Sequence, residues 1–398
     1  MPIDFELSEE HRMIKETVSG LLKRFEPRAE EFRRMIHNEK KFPQEVWDAI
    51  AETGLLGSLI PEEYGGSGMG LMALTLAVEQ MAAHGFGHAL IILTGMDALC
   101  ILRNGSDALK KKFLPDIAQG KTKFCFALTE PDAGSNTFRI ATVARRNSHG
   151  YRISGQKVFI TGADIADYML LVARTTTPEE LKQQNLPKVY GLSLFIVPTK
   201  TKGLTMTPIP TRGIEGMTQY TLYFDDVEVP AENLVGEENL GSMALFNSLN
   251  PERILAAATA CGITENLLRK AVSYAKDRTV FKNAPIGSYQ AIQHPLAEVR
   301  IELEAARLLT YKSAWAFDKG LDPAEVGTYA NMAKLMAADL ALKACDRAIE
   351  TLGGYGFSEE YGVIYYWDAV RLIKTAPITR EMILNYIAEH VLELPRSY

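Results

Sequence analysis

The stretch Thr129-Glu130-Pro131-Asp132-Ala133-Gly134-Ser135, followed by Tyr151-Arg152-Ile153-Ser154-Gly155-Gln156-Lys157-Val158-Phe159-Ile160-Thr161, carries most of what this chain says about its fold. The first segment leaves an apolar run, Phe124 to Leu128, through a Pro-Asp-Ala-Gly turn. Such a turn lets backbone N–H groups and the Thr129 and Ser135 hydroxyls converge on a polar ligand. The second segment reads as a strand with a glycine turn. Either segment alone also fits an ordinary hairpin, but the pair in this order is far more specific.

The chain changes texture on both sides of these segments. From Ser8 to about Lys123 apolar residues recur at helical spacing, as in Ile14, Val18, Leu21, Leu22 and Phe25, and Pro43 is well placed near the start of a later helix. The Gly-rich run from Ile60 to Gly68 reads as a connection between helices, although such loops also cradle phosphates. From Phe124 to Gly236 the pattern is β-branched and aromatic, with strands expected at Ile140 to Arg146, Tyr151 to Thr161, Tyr168 to Thr175, Leu192 to Pro198 and Thr221 to Pro230. Strands without intervening helices predict an antiparallel barrel or sandwich. Helical periodicity returns after Gly241, with long Ala- and Leu-rich helices over Glu298 to Phe317 and Ala330 to Thr351, the latter stopped by Gly353 and Gly354.

Composition sets the outer limits. At 398 residues and 47% hydrophobic content the chain can bury large cores and is long enough for about two or three domains. A net charge of -6 gives no general attraction to nucleic acid or anionic membranes. Cys100, Cys125, Cys261 and Cys345 are far apart, which suits small buried residues in a reducing compartment. His84 and His88 have helical spacing but enclose two glycines and lack an accompanying Glu, so no metal site is expected. The acidic start (Glu6, Ser8, Glu9, Glu10) is unlike a secretory or transit leader, and no apolar run reaches the ~20 residues of a membrane span; a cytoplasmic protein is expected.

The paired segments, at their spacing, resemble the flavin-binding motifs of the acyl-CoA dehydrogenase family, and the resemblance extends over nearly the whole chain. It implies an α+β multi-domain fold: a helical N-terminal domain (1–123), a middle antiparallel β-barrel (124–237) and a C-terminal four-helix domain (238–398) enclosing FAD and a thioester substrate. Phe126, Leu128, Thr129 and Ser135 would run beside the flavin, with Phe159 and Thr161 covering its other face and N5 edge. Phe159 stands where the family often has Trp. Arg278-Thr279-Val280-Phe281, followed by Gln290, resembles the RxxFG…Q segment that reaches the FAD of a neighbouring subunit, with Lys282 for the usual Gly and one extra residue before Gln290. Glu350-Thr351-Leu352-Gly353-Gly354-Tyr355-Gly356-Phe357 resembles QxLGGxGF, whose glycines approach the adenylate across a dimer; alone it is merely a helix stop. A homotetramer, a dimer of dimers, follows from the same resemblance.

Many family members carry a catalytic Glu after a Tyr-Tyr-Arg-Asp segment. Here Tyr365-Tyr366-Trp367-Asp368 leads to Ala376-Pro377, which cannot accept a proton. A branch resembling isovaleryl-CoA and long-chain acyl-CoA dehydrogenases places the base earlier, immediately before an Arg, and Asn250-Pro251-Glu252-Arg253 stands at that location. Glu252 is therefore the expected base, with Asn250, Arg253, Ser135 and the Ala376 backbone N–H on the substrate. The alternative for Glu252 is a first-turn helix acid after Pro251. Ile92 and Met96 would meet an apolar acyl chain or simply pack in the core.

The implied reaction is α,β-dehydrogenation of a saturated acyl-CoA to the trans-2-enoyl-CoA, with electrons passed to an electron-transferring flavoprotein. Two other readings stay open: the same fold with monooxygenase, oxidase or other thioester chemistry, and a catalytically silent flavoprotein or acyl-CoA-binding scaffold.

Overall fold

Ser8 caps the first helix by accepting the His11 N–H, and Ile14, Val18 and Leu22, one turn apart, form its buried stripe. The computed structural model describes residues 6–396, apart from the side chains at 246 and 247. Its N-terminal block holds helices α1 (Glu9–Lys23), α2 (Ala29–Arg33), α3 (Gln44–Glu52), α4 (Gly70–Ala83), α5 (Ala89–Asn104) and α6 (Asp107–Ala118). Helices α4 and α5 are buried on almost every side, as their all-round apolar sequence requires.

The Gly-rich run before α4 is a connection. Its amides at Gly65, Gly66, Ser67 and Gly68 are spent on the carbonyls of Glu62, Pro61, Gly57 and Ile60. A Cβ on Gly66 would stand 1.9 Å from the Ile60 carbonyl oxygen, so only glycine fits there.

The middle block is one eight-stranded sheet: β1 (Phe124–Ala127), β2 (Val143–Asn147), β3 (Gly150–Thr161), β4 (Tyr168–Arg174), β5 (Leu192–Pro198), β6 (Leu204–Ile209), β7 (Gln219–Pro230) and β8 (Leu234–Val235). The short α7 (Pro178–Gln183), closed by a Thr177/Glu180 capping box, joins β4 to β5. The expected antiparallel barrel differs from what is observed. The pairing path runs β6-β7-β3-β2-β4-β5-β8 with its ends unjoined, and β1 and β2 both lie parallel to β4. Along β4 and β5 alternate residues enter two different cores: Leu170, Val172, Leu194 and Ile196 face α5 and α6, whereas Met169, Leu171, Phe195 and Val197 fill the opposite side. Both strands therefore read as unbroken apolar runs.

The C-terminal block comprises α8 (Gly241–Asp277), α9 (Gln290–Asp318), α10 (Pro323–Leu352), α11 (Tyr366–Thr375) and α12 (Arg380–His390). Helix α10 ends at Gly353, whose φ of 58° suits glycine. Helix α8 packs against α4, α5, α9 and α10, and Ile254, Leu255 and Ala258 belong to the N-terminal core. Because α8 begins at Gly241, Pro251 lies inside the helix, and Glu252 is not the first-turn acid that Pro251 suggested. Among the described residues no helix is long and apolar enough to cross a membrane.

Candidate functional site

The two decisive stretches lie side by side. Thr129 accepts the Val158 N–H through its carbonyl (2.9 Å), and the Lys157 ammonium donates to the Leu128 carbonyl and to Glu130, each at 2.8 Å. Lys157 is 0% exposed. Glu130 also accepts the Ala141 and Thr142 N–H groups, and it holds the turn by exchanging backbone bonds with Ala133. Burial works to raise the Glu130 pKa, but the Lys157 charge and these donors hold it below the usual range. Burial lowers Lys157 to about 8 against the pull of Glu130, so the pair is ionised at neutral pH. Charged partners at 130 and 157 went unnoticed in the sequence, although both lie inside the segments that decide the fold.

Beyond this staple, Gly134 and Ser135 are exposed, and a Cβ on Gly134 would meet nothing within 4 Å. Phe126, Leu128, Thr129 and Thr161 are half-buried. Phe159 sits in the register shift between Lys157 and Ile160 with φ 58°, uncommon for a bulky residue, and it is 54% exposed. A bulge of this kind re-aims a side chain, here presenting an aromatic ring to the outside of β3.

A second locus is a surface cleft of about 610 Å³ at the end of α8, lined by Tyr274, Arg278, Glu350, Gly353, Gly354 and Tyr355, among others. Neither Gly353 nor Gly354 has an atom within 4 Å of an added Cβ, so bare backbone faces open space beside a guanidinium. That donor set fits a phosphate-bearing dinucleotide. The Glu350 carboxylate pairs with Arg347. Phe281, 81% exposed, and Gln290, in the first turn of α9, do not line the cleft.

The third locus surrounds Glu252. Glu252 as a whole is half-buried, and burial of its carboxyl lifts its pKa to about 7, with Arg253 and Lys334 pulling the other way. Arg253 donates to the Asn250 side-chain oxygen (3.3 Å), and Asn250 donates to the Pro323 carbonyl (3.1 Å). Lys334, 1% exposed on α10, was not anticipated. Its ammonium donates to the Ile378 carbonyl (2.7 Å) and reaches that of Lys374 (3.5 Å), straddling Ala376, and burial lowers it to about 8. One cation thus acts on both Glu252 and the loop where the family's more usual Glu would stand.

Ala376 departs from expectation. Its N–H donates to the Leu372 carbonyl (2.8 Å), closing α11, and is not the free donor the resemblance implied. Ile92 and Met96 are buried on α5, which packs on α8. Their neighbour Asp97, also buried, was overlooked; its signal was a lone charge within an apolar run.

Comparison with known proteins agrees with this layout. Residues 8–121, 125–227 and 239–392 match the family models for the acyl-CoA dehydrogenase N-terminal, middle and C-terminal domains. The chain is 43% identical to acyl-CoA dehydrogenase FadE12 of Mycobacterium tuberculosis, over 89% of each chain. Among solved structures it resembles butyryl-CoA dehydrogenase from Megasphaera elsdenii, with TM-score 0.89, 31% identity and coverage of 98% of this chain and 100% of that one. It also resembles a glutaryl-CoA dehydrogenase from Mycobacterium smegmatis in complex with FADH2, with TM-score 0.87, 27% identity and coverage of 98% and 96%. With a phosphate-fitting cleft, a presented aromatic ring and a family match from residue 8 to residue 392, the chain belongs to the acyl-CoA dehydrogenase family and is an FAD-dependent oxidoreductase.

Proposed function

We propose that this protein removes the α-proton and β-hydride of a saturated acyl-CoA thioester to give the trans-2-enoyl-CoA, as in β-oxidation, with Glu252 as the base. One observation carries the reading: a carboxyl raised by burial to about 7, under the pull of Arg253 and Lys334, on a residue that is half-buried as a whole. A base is most effective with a pKa near working pH, because it is then both available and strong. Bound FAD supplies the hydride-accepting chemistry. Thr129, Ser135, Phe159 and Thr161 hold and cover its flavin end, and Arg278, Gly353 and Gly354 take the nucleotide end of a neighbouring copy. Asn250 and Arg253 orient the thioester, and Ile92 and Met96 line an apolar acyl pocket.

The wider reading rests on the same frame. Domain limits at 1–123, 124–237 and 238–398 follow the change from helix to strand and back. A homotetramer is supported by Ile301, Leu308 and Trp315, which are 70%, 50% and 45% exposed and recur every seventh residue along α9. Four buried, free cysteines suit the cytoplasm. Electrons pass to an electron-transferring flavoprotein.

Glu252→Gln tests the core of this reading. It keeps size and hydrogen bonding but removes basicity, so FAD and acyl-CoA still bind while flavin reduction, followed by stopped flow, falls about 100- to 10,000-fold. In the unmodified enzyme the reduction rate rises with pH through about 7, as Glu252 loses its proton. Unchanged reduction in Glu252→Gln rejects the assignment.

A second reading draws on the Ala376 N–H being already engaged by Leu372: the same fold running monooxygenase, oxidase or other thioester chemistry. Rapid oxygen consumption by the reduced flavin favours it. A flavin that no acyl-CoA bleaches favours a silent flavoprotein or acyl-CoA-binding scaffold.

A further inference from the structure

Three polar side chains outside the loci described above form a hydrogen-bonded chain across three elements. Ser19 lies on α1, His84 caps the C-terminus of α4, and Glu26 opens the 3-10 turn Glu26–Arg28. The Ser19 hydroxyl oxygen stands 3.0 Å from His84 Nε2, and His84 Nδ1 stands 3.2 Å from Glu26 Oε1. A carboxylate only accepts, so Nδ1 carries the proton of the neutral ring and Nε2 is left to accept the Ser19 O–H. The His84 side chain is 6% exposed, whereas Ser19 is half-buried and Glu26 lies at the surface. Gly20, next in sequence to Ser19, is exposed, and a Cβ there would meet nothing within 4 Å, so a reactant has room to approach. Arg269 on α8 donates to the Ala83 carbonyl (2.9 Å) and holds the end of α4 in place. Burial lowers the His84 pKa from 6.5 against the pull of Glu26, with Arg269 and Lys23 adding to the fall, so the ring is neutral at neutral pH. A hydroxyl bonded to a neutral imidazole that a carboxylate orients is the arrangement by which a serine becomes a nucleophile. The proton it sheds arrives at the C-terminal end of a 14-residue helix, where the macrodipole favours a cation.

We propose that Ser19 is an acyl-acceptor site: with His84 as base and Glu26 orienting the ring, its hydroxyl takes the acyl group of a coenzyme A thioester. Oγ bonds to the acyl carbon as its proton moves to His84 Nε2. The C–S bond then breaks, and the sulfur leaves as the free thiol with that same proton. Nothing is oxidised or reduced, and the product is an acyl ester on Ser19. The choice of donor rests on the acyl-CoA substrate proposed above, while the step itself involves neither the flavin nor Glu252.

The test incubates the FAD-loaded enzyme with acetyl-CoA, which has no β-carbon and so cannot be dehydrogenated. Thiol is released, read with a thiol reagent, and mass spectrometry finds an added acetyl group on the peptide that holds Ser19. Ser19→Ala abolishes the release and leaves flavin reduction by a longer acyl-CoA unchanged. His84→Gln keeps a polar side chain without a base and slows the release about 100-fold or more. In the unmodified enzyme the rate rises with pH below 6.5, as His84 loses its proton, and is level above neutrality. If His84→Gln does not retain FAD, Ser19→Ala and the pH profile decide. Absence of thiol release overturns the proposal, as does release that Ser19→Ala leaves intact, a rate that climbs steadily above neutrality, or an acetyl group carried by Lys23 in place of Ser19. The three side chains are then only a strut between α1 and α4. Flavin bleaching by butyryl-CoA reports on the dehydrogenase reading separately, so an enzyme that bleaches but releases no thiol from acetyl-CoA loses this inference alone.

Discussion

Lys157 shows how much one side chain does for the fold. Its ammonium ties β3 to the end of β1 and to the Pro-Asp-Ala-Gly turn through Leu128 and Glu130, with no water contact. Lys157→Met leaves Glu130 buried without its cation, and the expected loss in urea unfolding is about 3 to 5 kcal/mol. Adding Glu130→Gln removes the stranded charge and keeps an acceptor for one of the Ala141 and Thr142 N–H groups, so the double variant recovers part of that loss. His88 gives a pH dependence of known sign. Half-buried as a residue but with its ring edge-on to Phe42 and beside Trp47 and both ring nitrogens shielded and unpartnered, it is lowered by burial, then by Lys123, to about 4. Between about 6.5 and 4 the unfolded chain takes up a proton that the folded chain does not, so stability falls as pH drops through that window, by up to about 3 kcal/mol. Urea midpoints at either side of the window measure it, and His88→Leu flattens the slope. Neither residue's role was legible in the sequence, because residue type does not say whether a charge or a ring is buried, or with whom.

At the level of elements, much was legible. The strand at Leu192 to Pro198 was expected with the bounds it has, and Tyr151 to Thr161 and Tyr168 to Thr175 differ from β3 and β4 by one residue each. Period-two patterns and flanking glycines reveal a strand but not its neighbour, which is why the parallel pairings of β1 and β2 with β4 were missed. β6 was missed as well: Leu204–Ile209 is half-exposed, contains Pro208 and lacks a clean apolar face. The Glu350–Phe357 motif read as a helix stop and is one, yet only folding brings it beside Arg278 to shape a cleft. Arg278→Ala removes the guanidinium there, with an expected cost to FAD retention of about 1.5 to 3 kcal/mol, read by equilibrium dialysis of the flavin. FAD affinity unchanged by Arg278→Ala would falsify the cleft's assignment.

Across the whole molecule, the exposed stripe of Ile301, Leu308 and Trp315 is the surface on which assembly is expected to depend. Leu308→Glu places a charge in the middle of it. Sedimentation should then show smaller species, and flavin content should fall with them, since the Arg278 cleft is read as serving another copy. Smaller species that retain full flavin would separate assembly from cofactor binding. Helix α8 supplies a geometric reason for that division of labour. Glu252 within it and Arg278, the residue that caps its far end, stand 26 residues apart, which at the α-helical rise is a strut of about 39 Å. On the proposed reading, the base and the nucleotide cleft of one chain are thus held well apart along a single beam. Under that proposal, each copy would carry half of two workplaces rather than the whole of one.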